Sequence, residues 1–277
     1  MDVVIVPAPS LLTSSQLGPC FAVSHEADSQ FCEMKKIQPR DIARAIWPRH
    51  MASPSRDTTR IDSAPVSPAT HHGSSFFSRI PKALWNRVWY RRELRVYRYP
   101  LADLSGLPHP TILERDCFDD LRYYERATKE QQPPHVYRKQ ALERLALGFH
   151  LYTLVEYGRL LHYAWLIERQ TRGEDAWVDQ VYFPPPETAV LFDHFTHPSA
   201  RGRGLYFQAL CQLLHDAHDI AQARQAYVTV FGNNGPSRHV IEKVGFQYEG
   251  SLCKERKLFR PRRYSIPAHG EFRTALL

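Results

Sequence analysis

The stretch from Ala189 to about Ala221 constrains this chain more than any other. Ala189–Thr196 is apolar on both alternating faces, a pattern suited to a strand covered on both sides. It passes through His197-Pro198-Ser199-Ala200 into a turn holding Gly202 and Gly204, and then into a helix. Leu205, Ala209, Leu210, Leu213, Leu214 and Ala217 share one face of that helix. A doubly buried strand leading straight into such a helix requires a central sheet flanked by helices, an α/β (α+β) class.

The flanking segments extend the pattern. Glu93–Tyr99 alternates as a first strand, and Asp116–Arg126 reads as a short helix behind an acidic cap. Val136–Leu147 reads as a second helix, with Val136, Ala141, Leu142 and Leu145 at helical spacing. His150–Glu156 and Leu160–Glu168 are strand-like runs around Tyr157-Gly158-Arg159, a hairpin signal. Beyond the Pro184–Pro186 loop and the central unit, Ala226–Phe231 is a β-branched and aromatic strand. Asn234 is suited to cap a helix with Pro236 in its first turn, Val240, Ile241 and Val244 as its stripe, and Gly245 as its stop. Phe246–Leu258 supplies a final strand pair or part of one. The expected order is β-α-α-β-β-β-α-β-α-β.

Residues 1–78 lack such periodicity; Pro, Ser, Thr and His recur without order. They are expected to be a disordered extension, or to precede a downstream start at Met34 or Met51, leaving a domain at 79–277 with its core at about 89–265. Asp2, Pro7 and Pro9 argue against an export signal. The longest apolar candidate, Phe149–Ile167, contains Glu156, Gly158 and Arg159, so no membrane span is expected. Five scattered cysteines without a C-x-x-C suggest a reducing cytoplasm rather than a disulfide framework.

The net charge is +7, yet Lys82–Arg98 and Lys254–Arg263 each carry six basic residues against one acid. Such segments offer a basic surface to a polyanion, or simply solvated flanks. Trp85, Trp89, Tyr90 and Tyr97 are too irregularly spaced to suggest nucleic-acid stacking.

The chemistry lies in two blocks. In His197–Tyr206, glycines let main-chain N–H groups approach a phosphate, the helix N-terminus adds positive partial charge, and Arg201 and Arg203 add cations. An ordinary βα loop has glycines too, so the second block matters. Asn234-Gly235-Pro236-Ser237, an apolar stripe, then Glu242-Lys243-Val244-Gly245-Phe246 resembles the pattern of the GNAT (GCN5-related N-acetyltransferase) superfamily. Arg201-x-x-Gly204 is similar to that family's Arg/Gln-x-x-Gly-x-Gly/Ala signature, in the right order and spacing.

The resemblance covers about two-thirds of the chain. It implies the GNAT fold: a mixed, mostly antiparallel sheet splayed between its fourth and fifth strands. It implies acyl transfer, by default of acetyl from acetyl-CoA as donor substrate to an unidentified primary amine. The donor's pantetheine arm would lie along Phe195, Thr196 and His197. Arg201, Gly202, Arg203, Gly204, Leu205 and Tyr206 would hold its pyrophosphate. Asn234 would face the pantetheine or thioester sulfur, with Ser237 of the same block in the donor site.

Two positions depart from the family pattern. Tyr206 stands where Gly or Ala is preferred, so its ring is expected to turn outward. Ile241 stands where many members carry a tyrosine that protonates the leaving thiolate, so that proton has another source. The attacking amine must lose a proton. Asp193 and His194 are the candidate catalytic residues. As neighbours in a strand they are expected to face opposite sides, so that only one looks into the cleft, and either one alone reads more readily as a satisfied core polar group. Family precedent for a carboxylate here favours Asp193; Glu156 and Tyr182 are weaker candidates. His194-x-x-His197 and His215-x-x-His218 lack further ligands, so no metal is expected. Two other functions fit the same residues: a non-catalytic acyl-CoA-binding protein, and an aminoacyl-tRNA-dependent transferase using the basic flanks.

Overall fold

The computed structural model describes residues 89–276 except 130, 259 and 269–271. The expectations for residues 1–78, and for the basic segment before Trp89, lie outside the described residues.

Eight strands form the main sheet: β1 (Trp89–Pro100), β2 (Glu114–Arg115), β3 (His150–Glu156), β4 (Arg159–Ile167), β7 (Thr188–Thr196), β8 (Gln225–Phe231), β9 (Gln247–Lys257) and β10 (Arg260–Pro267). Their order is β10-β9-β1-β8-β7-β4-β3-β2. Only β7 and β8 run parallel among the paired neighbours; the other pairs are antiparallel. A second sheet of β5 (Gly173–Asp175), β6 (Gln180–Tyr182) and β11 (Thr274–Leu276) was not foreseen, because its strands are too short to show a period. Among the described residues three α-helices flank the sheets: α1 (Pro134–Ala146), α2 (Leu205–Asp219) and α3 (Gly235–Val244). This is a mixed α/β architecture, a mostly antiparallel sheet flanked by helices. No helix among the described residues is long and apolar enough to cross a membrane.

β1, the first described strand, lies inside the sheet between β8 and β9. The β7 run is central as expected, and Thr188–Phe192 is buried throughout. The hairpin turn is made by Tyr157 and Gly158, both at positive φ (50° and 71°), which suits the twist of β3 and β4. Asn234 caps α3 by accepting the Ser237 N–H at 3.2 Å, and Gly245 ends it at φ 108°.

Two expectations need correction. The Asp116–Arg126 helix is only a short 3-10 segment at Phe118–Tyr123. Asp116, at φ 59°, does not cap it; its carboxylate instead takes the Leu151 N–H at 2.9 Å and meets His150 Nδ1 at 2.7 Å. The second helix forms, but its buried face is Tyr137, Gln140, Ala141 and Arg144, while Val136 and Leu142 are exposed. Tertiary partners inside the fold decide this: Tyr137 stacks on Tyr124, and Arg144 finds a carboxylate.

Candidate active site

β7 and β8 pair from Thr188↔Gln225 to Leu191↔Val228, and their registered contact ends there. Beyond that point β7 stays with β4 through Phe195 and Thr196, while β8 stays with β1 through Thr229, Val230 and Phe231. Each strand is held by its outer neighbour, so a wedge opens between them.

The β7 edge of the wedge carries a bulge. Phe192 stands opposite Trp165 and Phe195 opposite Tyr163, which leaves Asp193 and His194 facing the single residue Ala164. Asp193 adopts φ 49°, a left-handed conformation that Asp tolerates better than most residues. The extra residue breaks the strict alternation of sides. Asp193 and His194 therefore line the same cavity, against the expectation that only one would.

That cavity is walled by Leu94, Val230 and Phe231 from the sheet, by Tyr124, Tyr137 and Tyr163, and by Arg144. Arg144, 1% exposed, pairs with Asp193 Oδ2 at 2.5 Å and stands over the Trp165 and Phe192 rings at 4.9 and 5.0 Å. Burial raises the Asp193 carboxyl above its ordinary range, with Arg144 opposing that rise. His194 differs in kind. Neither ring nitrogen has a hydrogen-bond partner among the described residues, and burial with His162 nearby pushes its pKa down to about 3. The imidazole is neutral near pH 7, its ring packed near those of His162 and Tyr206.

A groove meets this cavity from the other side. Phe195, Thr196, Arg201, Gly202, Gly204 and Leu205 line it from β7 and the turn. Gly202 and Gly204 take φ 81° and 76°, which lets the chain swing into α2 with its first-turn N–H groups turned outward, lacking helical acceptors. From α3 come Asn234, Ser237, His239 and Lys243, of which the last two were not foreseen. His194, Tyr206, Asn234 and Ser237 border both spaces.

Tyr206 does not turn outward. Its ring lies in the wedge 5.2 Å from that of His194, and its hydroxyl accepts from Ser237 Oγ at 3.3 Å. The wedge has room for the ring that a closed pair of strands would lack. Burial pushes its phenol up to about 12.

Other candidate residues sit elsewhere. Arg203 points away to Glu156, which it grips through two bonds at 2.8 and 2.9 Å. That pairing holds the Glu156 carboxyl below its usual range and away from the cavity. The His197 N–H donates to Leu161 O at 2.8 Å and its ring meets Glu125 at 3.0 Å, so neither lies free in the groove. Tyr182 is buried in the small sheet. Ile241 is fully buried in the core. His215 stacks on His109 and His218 contacts Asp219; among the described residues no group of His, Cys, Asp and Glu could hold a metal ion.

Sequence reasoning missed Arg144, Tyr137 and Gln140. Their i, i+3, i+7 spacing was available, but the more apolar Val136–Leu142 row competed with it.

A family model of the acetyltransferase (GNAT) domain matches residues 113–247. Those residues, just under half of the chain, are therefore similar to a GNAT acetyltransferase domain. Among solved structures it is similar to a functionally unknown conserved protein from Staphylococcus epidermidis, at 9% identity and TM-score 0.40, covering 66% of this chain and 69% of that one. It is also similar to a GNAT-family acetyltransferase from Colwellia psychrerythraea, at 16% identity and TM-score 0.43, covering 67% and 60%. A putative GNAT-family acetyltransferase from Novosphingobium aromaticivorans matches at 16% identity and TM-score 0.40, covering 59% and 63%. The chain thus spans less than two-thirds of the last two. No curated protein matches the sequence.

Proposed function

We propose that this protein is an acyl-CoA-dependent N-acyltransferase that moves an acetyl group from acetyl-CoA to a primary amine, in the reducing cytoplasm. One observation carries the reading: a groove floored by an anion-ready helix start meets a separate cavity at His194, inside the wedge between β7 and β8.

In this reading the donor's pyrophosphate rests on the main chain of Gly202, Arg203, Gly204, Leu205 and Tyr206, with Arg201 and Lys243 adding charge. Its pantetheine arm follows Phe195 and Thr196, leaving β7 to offer main-chain bonds. Asn234 and Ser237 border the thioester. The acceptor amine enters from the tyrosine-walled side. Holding both reactants in one wedge supplies much of the rate.

The amine attacks the thioester carbonyl as its free base, the C–S bond breaks, and the CoA thiolate leaves. His194 takes the proton from the nitrogen of the tetrahedral adduct. That nitrogen is more acidic than a free ammonium, and the imidazole passes its proton on to the departing thiolate rather than keeping it. The proton ends on the thiolate, and amide and CoA thiol are the products. Asp193 is bound to Arg144, and its part is to hold the bulge that aims His194.

Calorimetry with acetyl-CoA, followed by free-thiol release over a panel of primary amines, tests the reading. Binding with amine-dependent thiol release is expected. Binding without release on any amine indicates the non-catalytic alternative, and salt-sensitive tRNA binding without acetyl-CoA binding indicates the aminoacyl-tRNA one.

A further inference from the structure

The two basic segments of the sequence, far apart in the chain, become neighbours through β1, β9 and β10. Arg92 stands opposite Lys254, and Lys254 opposite Arg263; two residues farther out, Tyr90 stands opposite Arg256. Residues directly opposite share a face, so Arg92, Lys254 and Arg263 form a row of three cations. Like charges in this relation destabilise a sheet. Asp179 relieves only part of it, pairing with Lys254 and, at 3.1 Å, with Arg263.

Arg92 and Arg256 are treated differently. Among the described residues neither forms an ion pair with a carboxylate. Arg92 donates to Trp177 O at 3.1 Å and stands over the Trp177 and Tyr90 rings at 5.3 and 5.1 Å. The buried Asp175 carboxyl feels the Arg92 charge without bonding to it. Arg256 lies 5.4 Å from the same Tyr90 ring, and its buried Nε has no hydrogen-bond partner among the described residues. A charge conflict left unresolved inside a fold marks a functional surface.

Position says which function. Leu94 and Phe231, partners in register, both line the acceptor cavity. Arg92 is the next residue on that face of β1, about 7 Å along the strand from Leu94. Trp177, which accepts the Arg92 bond, packs on Phe231 at 4.4 Å. The cation row therefore begins at the lip of the cavity. Inside, the Arg144 charge is already matched by Asp193.

The geometry points to an acceptor that carries a phosphoryl ester, gripped by Arg92 and Arg256 at the lip while its amine lies within the cavity. This rests on the acyltransferase reading above. Two guanidinium forks suit a dianionic phosphoryl group better than a single carboxylate.

Matched amines test it at saturating acetyl-CoA: ethanolamine against O-phosphoethanolamine, and 6-aminohexanol against its phosphate ester. The phosphorylated member of at least one pair is expected to show kcat/KM ten-fold or more above its neutral partner, with the ratio falling as salt rises. Arg92→Gln and Arg256→Gln together bring that ratio close to one, with a thermal melt controlling for folding. Equal rates within both pairs, or a ratio that survives in the double variant, overturns the proposal. If no amine of either kind is turned over, the acyltransferase reading is what fails, and calorimetry decides the anion site. With CoA saturating, so that the donor turn is filled, the wild type is expected to bind 6-aminohexyl phosphate at least ten-fold more tightly than the double variant. No difference, or no binding, overturns the site.

Discussion

Arg144 of α1 lines the cavity beside Asp193 of β7 and closes with it a 2.5 Å ion pair in which the guanidinium is 1% exposed. The pair joins a helix to the bulge beside His194. Replacing Arg144 by Met leaves a buried carboxylate unmatched. A loss of about 3–5 kcal/mol in unfolding free energy is expected. Arg144→Met with Asp193→Asn together is expected to recover much of it, as read by urea unfolding. A single variant as stable as the wild type contradicts the structural importance of the pair.

Asp175 gives a pH signature. Its Oδ1 accepts the Trp177 and Val178 N–H groups, Oδ2 has no hydrogen-bond partner among the described residues, and burial raises its pKa to about 6 from 3.8. The folded state therefore holds this proton more tightly than the unfolded state. Its stabilising contribution is full below about pH 4 and is lost as pH rises through about 6. That shift corresponds to roughly 3 kcal/mol. Asp175→Asn keeps the oxygen that takes both N–H groups and removes the charge. The stability difference between variant and wild type is expected to grow in the variant's favour between pH 4 and 6.5, measured by urea unfolding across that range.

Gly204 tests the phosphate cradle. At φ 76°, its replacement by Ala is expected to cost about 1–2 kcal/mol from backbone strain while donor binding persists. Gly204→Glu brings a carboxylate to the anion site and is expected to abolish acetyl-CoA binding in a folded protein. Calorimetry with circular dichroism distinguishes the two effects, and normal CoA binding by Gly204→Glu contradicts the assignment.

The order of the sheet predicts where the chain can be cut. The family match covers residues 113–247, but β1 fills the sheet between β8 and β9 and backs the far edge of the wedge. A fragment of residues 113–247 is expected to be unfolded or aggregated, because it leaves β8 as a bare edge. Residues 79–277 are expected to fold and to bind acetyl-CoA with the affinity of the full chain. A folded 113–247 fragment by circular dichroism and thermal melt contradicts the role given to β1.

Much of this architecture was legible in the residues. The buried β7 run, the glycine turn, the α2 face and the Asn234 and Gly245 caps are local signals, each with a mechanism acting within a few residues. Long-range decisions were not legible. The periodicity of Glu93–Tyr99 shows a strand but not that it slots between β8 and β9. The α1 pattern offered two rows, and only the distant carboxylate of Asp193 selects the one with Arg144. The bulge that places Asp193 and His194 on one side depends on Ala164 across the strand, and the inward Tyr206 depends on the wedge. Alternation within a single strand cannot reveal either.

His194 decides the central claim, because it borders both the donor groove and the acceptor cavity. The measurement is the turnover and the acetyl-CoA dissociation constant of His194→Gln beside the wild type, with an amine the wild type acetylates. Loss of a group that takes the proton in the transition state typically costs a hundred-fold or more in rate. A drop of at least about a hundred-fold in kcat, with donor affinity within about two-fold (under ~0.5 kcal/mol), is the predicted result. Near-normal kcat, or a loss of rate explained wholly by weaker acetyl-CoA binding, contradicts the claim that acyl transfer occurs at the meeting of the two spaces.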